Sequence, residues 1–339
     1  MPEQGGPEVL RAYRRELPGL ASGQAMVRVE AAGVSFAEVQ MLKGRYFNQP
    51  KFPFVPGYDL VGIVEGVGEG VDEGLLGKRV AALTETGAWA DLVALDAETL
   101  ATVPDGLESA DAVAAITNGV TAWQMLHRAA KVRPGQVVVV HGASGGVGTL
   151  LVQLARLAGA EVIGTASASK HDAIRAQGVQ HAIDYRSQDF EQEIRRMTGG
   201  EGVDVIMDAT GPTNFRKDYR LLREGGRLIM YGLTEASTGT GRDMRKLLSS
   251  LVRMPFATVP WWKSLQLMSE NKGVFGLNML AWQDREGLDR VLEPLSKELE
   301  AGTISIDPVV AEAFPFERAG EAHRFIAERK NIGKVVLVP

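Results

Sequence analysis

Cysteine is absent from this chain of 339 residues. That excludes disulfide frameworks, thiolate-held zinc, iron–sulfur clusters and any thiol nucleophile. Histidine is scarce: the set is His127, His141, His171, His181 and His323, and all but His141 read as helix or turn residues without partners at metal-ligand spacing. Basic charge is not in excess, with 37 Lys and Arg against 42 Asp and Glu and a net charge of −5. This balance, with no aromatic–basic motif, opposes nucleic-acid binding. No apolar run reaches the roughly 18 residues that a membrane-crossing helix needs. The opening residues Met1–Gly6 hold neither a basic region nor an apolar one, so no secretory leader is expected and a cytoplasmic location is.

What is present is enough apolar residue, 45%, for a sizeable core, and enough length for two domains. From Val27 to Val93 short apolar runs alternate and are broken by turns such as Phe54-Val55-Pro56-Gly57. This predicts a β-rich first domain. The pattern changes after about Pro104. Ser109 reads as an N-cap for the helical stretch that follows, and helical character continues from Asn118 to Arg128. Val137 to Val140 is an all-valine run, as a parallel strand buried on both faces requires. Helices are then expected over Thr149–Leu157, Lys170–Gln177 and Phe215–Leu222. Strands are expected over Glu161–Gly164, Asp204–Asp208, Arg227–Met230 and Ile332–Val338. Strand and helix alternating through short connections imply an α/β fold with a doubly wound parallel sheet.

The segment His141-Gly142-Ala143-Ser144-Gly145-Gly146-Val147-Gly148 follows the valine strand and opens the next helix. Glycines at such a turn let the backbone approach a pyrophosphate, which then rests on helix N–H groups. The spacing departs from GxGxxG, so strand and helix on either side carry the assignment. An NAD site needs an acid about 20 residues on. Here that region reads Gly164-Thr165-Ala166-Ser167-Ala168-Ser169-Lys170, with hydroxyls, a cation and no acid. A 2′-phosphate is accepted by such a set, so NADP(H) is the expected cofactor.

Several motifs carry a family resemblance. Val29 to Glu38, Gly44-Arg45-Tyr46, Phe54 to Asp59 and Gly77-Lys78-Arg79-Val80 resemble the medium-chain dehydrogenase/reductase superfamily, in its zinc-independent quinone oxidoreductase (zeta-crystallin-like) branch. Gly164 to His171, Ile183-Asp184-Tyr185 and Lys330 to Pro339 are similar to the vesicle-amine-transport-type subgroup. The resemblance spans residues 8 to 339. It implies a GroES-like β domain from residues 1–117, a Rossmann NADP-binding domain over 118–280, and a return to the first domain over 281–339. The cofactor would lie in the cleft between the domains. Zinc-dependent relatives carry Cys where Ser35 stands and His where Tyr58 stands, so no metal is expected.

The resemblance also implies roles. Tyr46 would line the nicotinamide pocket, its hydroxyl able to bond a substrate carbonyl as charge builds there. Asn118 and Thr121 would reach the nicotinamide or its ribose. Ser144, Gly145, Gly146 and Val147 match the pyrophosphate loop; Ser167, Lys170 and Tyr185 match the adenosine 2′-phosphate site. Tyr231, Gly232, Leu233, Phe275, Gly276 and Leu277 match segments along the nicotinamide ribose, and Asn331 and Lys334 would approach from the terminal strand. Three positions depart from the pattern: Ser35 replaces the usual Asn, Glu38 the usual Asp and Asp59 the usual Glu. His141 reads as a packed strand-end residue and not as an acid–base group.

The function so implied is an NADPH-dependent reductase of quinones or α,β-unsaturated carbonyl compounds, with a small apolar substrate. The alternative is an NADP(H)-binding scaffold or membrane-associated protein with little catalytic activity. The apolar segment around Trp261-Trp262 would roof the substrate, touch a membrane or bury itself within the protein or a dimer. Relatives pair the strand near Gly273–Gly276 across a two-fold axis, so a homodimer is expected.

Overall fold

The computed structural model describes residues 1–17, 19–46, 48–103, 105–234, 264–279 and 309–339. The Trp261-Trp262 segment lies outside them. The chain divides into two compact units, Met1–Thr121 with Gln283–Pro339, and Ala122–Trp282.

In the first unit the alternation seen in the sequence becomes an antiparallel β structure. Strands β1 (Gln24–Val34), β2 (Asp59–Val67), β3 (Arg79–Leu83), β4 (Leu92–Asp96) and β5 (Ala101–Thr102) join with β12 (Val310–Pro315) and β13 (Lys334–Val338). The order is β12-β13-β1-β2-β3-β5, with β4 also on β1. Val27, Val29, Leu60 and Val80 face inward and are fully buried, while Arg28 points out and bonds Glu65 at 2.5 Å. The terminal strand docks antiparallel on β1, pairing Ala32 with Leu337 and Val34 with Val335. A second cluster, including Val34, Val39, Phe314 and Ile326, packs helix Ala319–Ala327 and α1 (Phe36–Leu42) against this edge. This is the GroES-like domain that the family resemblance implied.

The second unit holds β6 (Val137–His141), β7 (Glu161–Ala166), β8 (His181–Asp184), β9 (Val203–Asp208), β10 (Leu222–Met230) and β11 (Gly273–Gly276). They form one sheet in the order β11-β10-β9-β6-β7-β8, with every pairing parallel. The order reverses between β6 and β9, the switch point at which a Rossmann sheet binds its ligand. Helices α3 (Gly146–Leu157), α4 (His171–Ala176), α5 (Phe190–Met197) and α6 (Pro212–Leu221) supply the connections.

Local expectations shift in detail. Ser109 is not an N-cap: it lies inside α2 (Ser109–Trp123), and its hydroxyl donates to Glu30 Oε2 at 2.7 Å. A tertiary partner has taken the hydroxyl that capping would use. Beyond α2 the chain continues as a π-helical turn, Gln124–Ala130, closed by Lys131 at φ 51°. Helix α3 starts at Gly146, three residues before the expected Thr149. His181 opens β8 and does not sit in a turn or helix. Among the described residues no helix is long and apolar enough to cross a membrane.

Candidate functional site

The glycine segment makes a tight strand-to-helix turn. Gly142 has φ 67°, in the left-handed region, and Gly145 N–H closes the turn on Gly142 O at 2.9 Å. Gly145 is the N-cap of α3. The first N–H groups of a helix have no intrahelical acceptor, so those of Gly146, Val147 and Gly148 are available to an anion and lie at the positive end of the helix dipole. Gly148 is needed for a different reason: a Cβ there would collide with Gly142 O and stand 2.9 Å from the Ala143 backbone. The first turn of the helix thus sits closer to the Gly142–Ala143 backbone than any side chain permits. Ser144 is buried beside this turn.

The second part of the site is at the carboxyl ends of neighbouring strands. Ala166 of β7 pairs with Asp184 of β8, so Ser167 and Tyr185 follow side by side. Ser167 is buried, and its hydroxyl lies 3.4 Å from that of Ser169. Lys170 ends a short 3-10 turn, Ala168–Lys170, ahead of α4 and is not part of the helix itself. Tyr185 is exposed, and the Arg186 guanidinium lies 6.0 Å from its ring centroid. Arg186 was not foreseen. A cation following an aromatic residue at a strand end was the signal available.

Tyr231, Gly232 and Leu233 follow β10, whose Met230 pairs with Gly276 of β11. Gly232 approaches the residue after β9 so closely that a Cβ would stand 2.9 Å from Ala209 Cβ. Leu277 N–H donates to Met230 O at 2.9 Å, so the two segments end together. Phe275 is exposed on β11. Asn118 and Thr121 are well inside α2 and therefore do not cap it. Both are buried, and Thr121 Oγ1 donates to Thr117 O at 2.6 Å.

At the switch point lies a buried cluster that sequence reading missed. His141 Nε2 is 3.0 Å from Asp218 Oδ1, and its Nδ1 is 3.1 Å from Thr165 Oγ1. The Asp208 carboxyl interacts with that of Asp218. One oxygen of each acid, Asp208 Oδ2 and Asp218 Oδ2, has no other partner, so a proton held between the acids satisfies both. Burial, helped by Asp218, pushes Asp208 up to about 7. Burial works to lower the His141 pKa, but the Asp218 carboxylate overcomes it and raises the group to about 9. Ligand atoms of the three residues lie within 4.8 Å of one another. Both ring nitrogens are already engaged, so we read the cluster as an imidazolium with two acids and one shared proton. In sequence the two acids are separated from His141 by whole elements, and no local spacing announces them.

The first unit contains a second buried polar group. Ser35 precedes α1, and its N–H donates to Glu38 Oε2 at 2.7 Å. Glu38 is 1% exposed, and burial pushes its pKa up to about 8, against the opposing pull of the Ser35 N–H and of Lys334. Lys334 Nζ is 2.8 Å from Asp59 Oδ2, which also accepts from Thr117 N at 3.1 Å. Lys334, expected near the cofactor, is buried and paired within its own unit. Gly33 makes room for this pair, since a Cβ there would collide with Asp59 Oδ1 and the end of Lys334. Tyr58 is buried, and its hydroxyl interacts with that of Tyr46 without completing a hydrogen bond of normal geometry.

Comparison with known proteins identifies the family. Residues 21–105 match the alcohol dehydrogenase GroES-like domain, and residues 146–256 match the family described as zinc-binding dehydrogenase. The chain is 35% identical over 330 residues to the synaptic vesicle membrane protein VAT-1 homolog of Rattus norvegicus, covering 95% of this chain and 78% of that protein. The crystal structure of human synaptic vesicle membrane protein VAT-1 homolog-like protein superposes with a TM-score of 0.81 at 33% identity, covering 100% of this chain and 96% of that one. Escherichia coli quinone oxidoreductase complexed with NADPH superposes with a TM-score of 0.84 at 25% identity, covering 99% of this chain and 98% of that one.

Proposed function

We propose, since the chain belongs to the zinc-independent quinone oxidoreductase branch of the medium-chain dehydrogenase/reductase superfamily, close to the VAT-1 homologues, that it is an NADPH-dependent reductase of quinones or α,β-unsaturated carbonyl compounds. The observation that carries this reading is the turn Gly142–Gly148, which caps α3 with Gly145 and leaves the first N–H groups of that helix open at the switch point of a parallel sheet. The NADPH complex of the Escherichia coli relative supports the choice of nucleotide. The N–H groups of Gly146, Val147 and Gly148 hold the pyrophosphate, and Ser144 lies beside it. Ser167 and Lys170 take the 2′-phosphate, the hydroxyl as donor and the ammonium as counter-charge. Tyr185 lies against the adenosine. Tyr231 to Leu233 and Phe275 to Leu277 flank the ribose, with Asn118 and Thr121 toward the nicotinamide.

When bound, the reduced nucleotide supplies a hydride to the electrophilic carbon of a conjugated acceptor. Tyr46 donates a hydrogen bond to the acceptor's carbonyl oxygen and then its proton. One such donor is worth roughly 10²–10³ in rate. The zinc implied by the family description does not fit this chain. Ser35 and Tyr58 stand where ligating Cys and His would, and the Lys334 ammonium already neutralises Asp59.

NADPH oxidation measured with a panel of quinones and enones tests the reading. Turnover is expected with at least one member, and Tyr46→Phe is expected to lower kcat. Tight NADPH binding with no turnover of any acceptor would refute it. In that event the second reading stands, an NADP(H)-binding protein at a membrane surface. The vesicle-membrane names of the VAT-1 relatives favour it, and co-sedimentation with liposomes checks it. A homodimer paired along the edge strand β11 and a cytoplasmic location complete the proposal.

A further inference from the structure

The buried side chains His141, Asp208 and Asp218 have no task in the function proposed so far. His141 directly precedes the phosphate turn, and a continuous line of hydrogen bonds runs from it into that turn. The residue ends β6 and pairs in register with Thr165 of β7, so the two side chains lie together on one face of the sheet. His141 Nδ1 is 3.1 Å from Thr165 Oγ1. The same hydroxyl accepts from Gly142 N–H at 3.2 Å, and the Thr165 carbonyl accepts from Ala143 N–H at 3.0 Å. Thr165 therefore holds both amides that open the turn, one with its side chain and one with its backbone.

The backbone bond needs only the strand. The side-chain bond needs the hydroxyl in one rotamer, and the His141 ring fixes that rotamer. The ring is gripped in turn from two helices. Asp218 Oδ1 of α6 lies 3.0 Å from Nε2, and Phe190 of α5 meets the ring edge-on with centroids 4.8 Å apart. Asp208, whose carboxylate lies against this pair, ties down the segments that follow β9 and β10. Its Oδ1 accepts from Thr210 N–H, and its carbonyl accepts from Tyr231 N–H at 3.0 Å.

We propose that His141 is a positioning residue for the nucleotide. With Asp218 behind it and Thr165 in front, it holds Gly142 so that the open N–H groups at the start of α3 meet the pyrophosphate. This rests on the nucleotide-binding part of the reading above. A row of N–H donors binds an anion well only when it is held in place beforehand, because ordering it at the moment of binding costs affinity. Here the order is imposed from the sheet and two helices and passes through a single hydroxyl. The pyrophosphate is common to NADPH and NADH, so the line from Asp218 to Gly142 sets affinity for dinucleotides as a class. Lys170, by contrast, sets the choice between the two.

The test is isothermal titration with three probes: NADPH, NADH and adenosine 2′-phosphate, which lacks the pyrophosphate. Thr165→Val keeps the shape of the side chain and removes the hydroxyl. It is expected to weaken NADPH and NADH alike, by roughly 10-fold, and to leave adenosine 2′-phosphate unchanged. Thr165→Ser, which restores the hydroxyl, should recover both dinucleotides. His141→Gln should show the same pattern as Thr165→Val, and the double variant should lose no more than either, because the groups act as one line. Equal loss for all three probes would mark a general loosening of the domain and overturn the proposal, as would unchanged dinucleotide affinity in Thr165→Val and His141→Gln. A measurement on the wild type needs no variant to fold: the ring 15N signals of His141 should move on saturation with NADPH or NADH and not with adenosine 2′-phosphate. Signals that ignore the dinucleotides overturn the proposal. Wild type that binds neither dinucleotide overturns this inference together with the reading beneath it; wild type that binds them and reduces no acceptor overturns the reductase reading alone.

Discussion

Lys334 and Asp59 are 275 positions apart in the chain and 2.8 Å apart in the fold, with neither side chain more than 3% exposed. The pair ties the last strand to β2 across β1, and Gly33 leaves the space for it. A buried pair adds little over an apolar one, but removal of one partner leaves a charge stranded. Lys334→Ala is therefore expected to destabilise the protein by about 3–5 kcal/mol in urea unfolding. The double variant Asp59→Asn with Lys334→Met should recover much of the loss.

Stability is expected to fall as pH rises above neutrality. Glu38 at about 8, Asp208 at about 7 and His141 at about 9 all stand above the unfolded values of 4.5, 3.8 and 6.5. Each keeps its proton in the folded protein at a pH where the unfolded chain has released it. The unfolded state then binds fewer protons, and a single such group lowers stability by about 1.4 kcal/mol per pH unit within its window. For His141 the contribution is complete below pH 6.5 and lost through about pH 9; for Asp208 it is complete below pH 3.8 and lost through about pH 7. Urea midpoints at pH 7 and pH 9 measure the slope set by His141 and Glu38, and midpoints at pH 4 and pH 7 the slope set by Asp208, which Asp208→Asn should flatten.

Gly148→Ala places a methyl group against Gly142 O and the Ala143 backbone. Neither is a side chain that swings away, so the start of α3 must move off the Gly142–Ala143 turn. A loss of about 1–3 kcal/mol in stability is expected. NADPH affinity should fall with it, because the N–H groups of the first turn are displaced. Thermal unfolding and fluorescence titration report the two effects separately.

Lys170→Ala tests the nucleotide preference. A hydrogen bond to a charged group contributes about 1.5–3 kcal/mol, so NADPH should bind roughly 10–100-fold more weakly while NADH is little changed. Equal loss for both nucleotides in isothermal titration would show that Lys170 does not meet the 2′-phosphate.

Residues that act through neighbours in sequence were legible without coordinates. The valine run Val137–Val140, the glycines that follow and the change of pattern near residue 104 announced a parallel sheet with a tight glycine turn into a helix, because strand period, turn chemistry and helix start are local properties of the backbone. The absence of Cys and of a His at Tyr58 likewise spoke for itself. Hidden from that reading were Glu38 as a neutral acid, the Lys334–Asp59 pair and the His141–Asp208–Asp218 cluster. Each is an effect of burial and of partners tens to hundreds of positions away. A carboxyl in the sequence is the same carboxyl in every context; only the packed chain removes its water and sets beside it the charge that decides whether it keeps a proton.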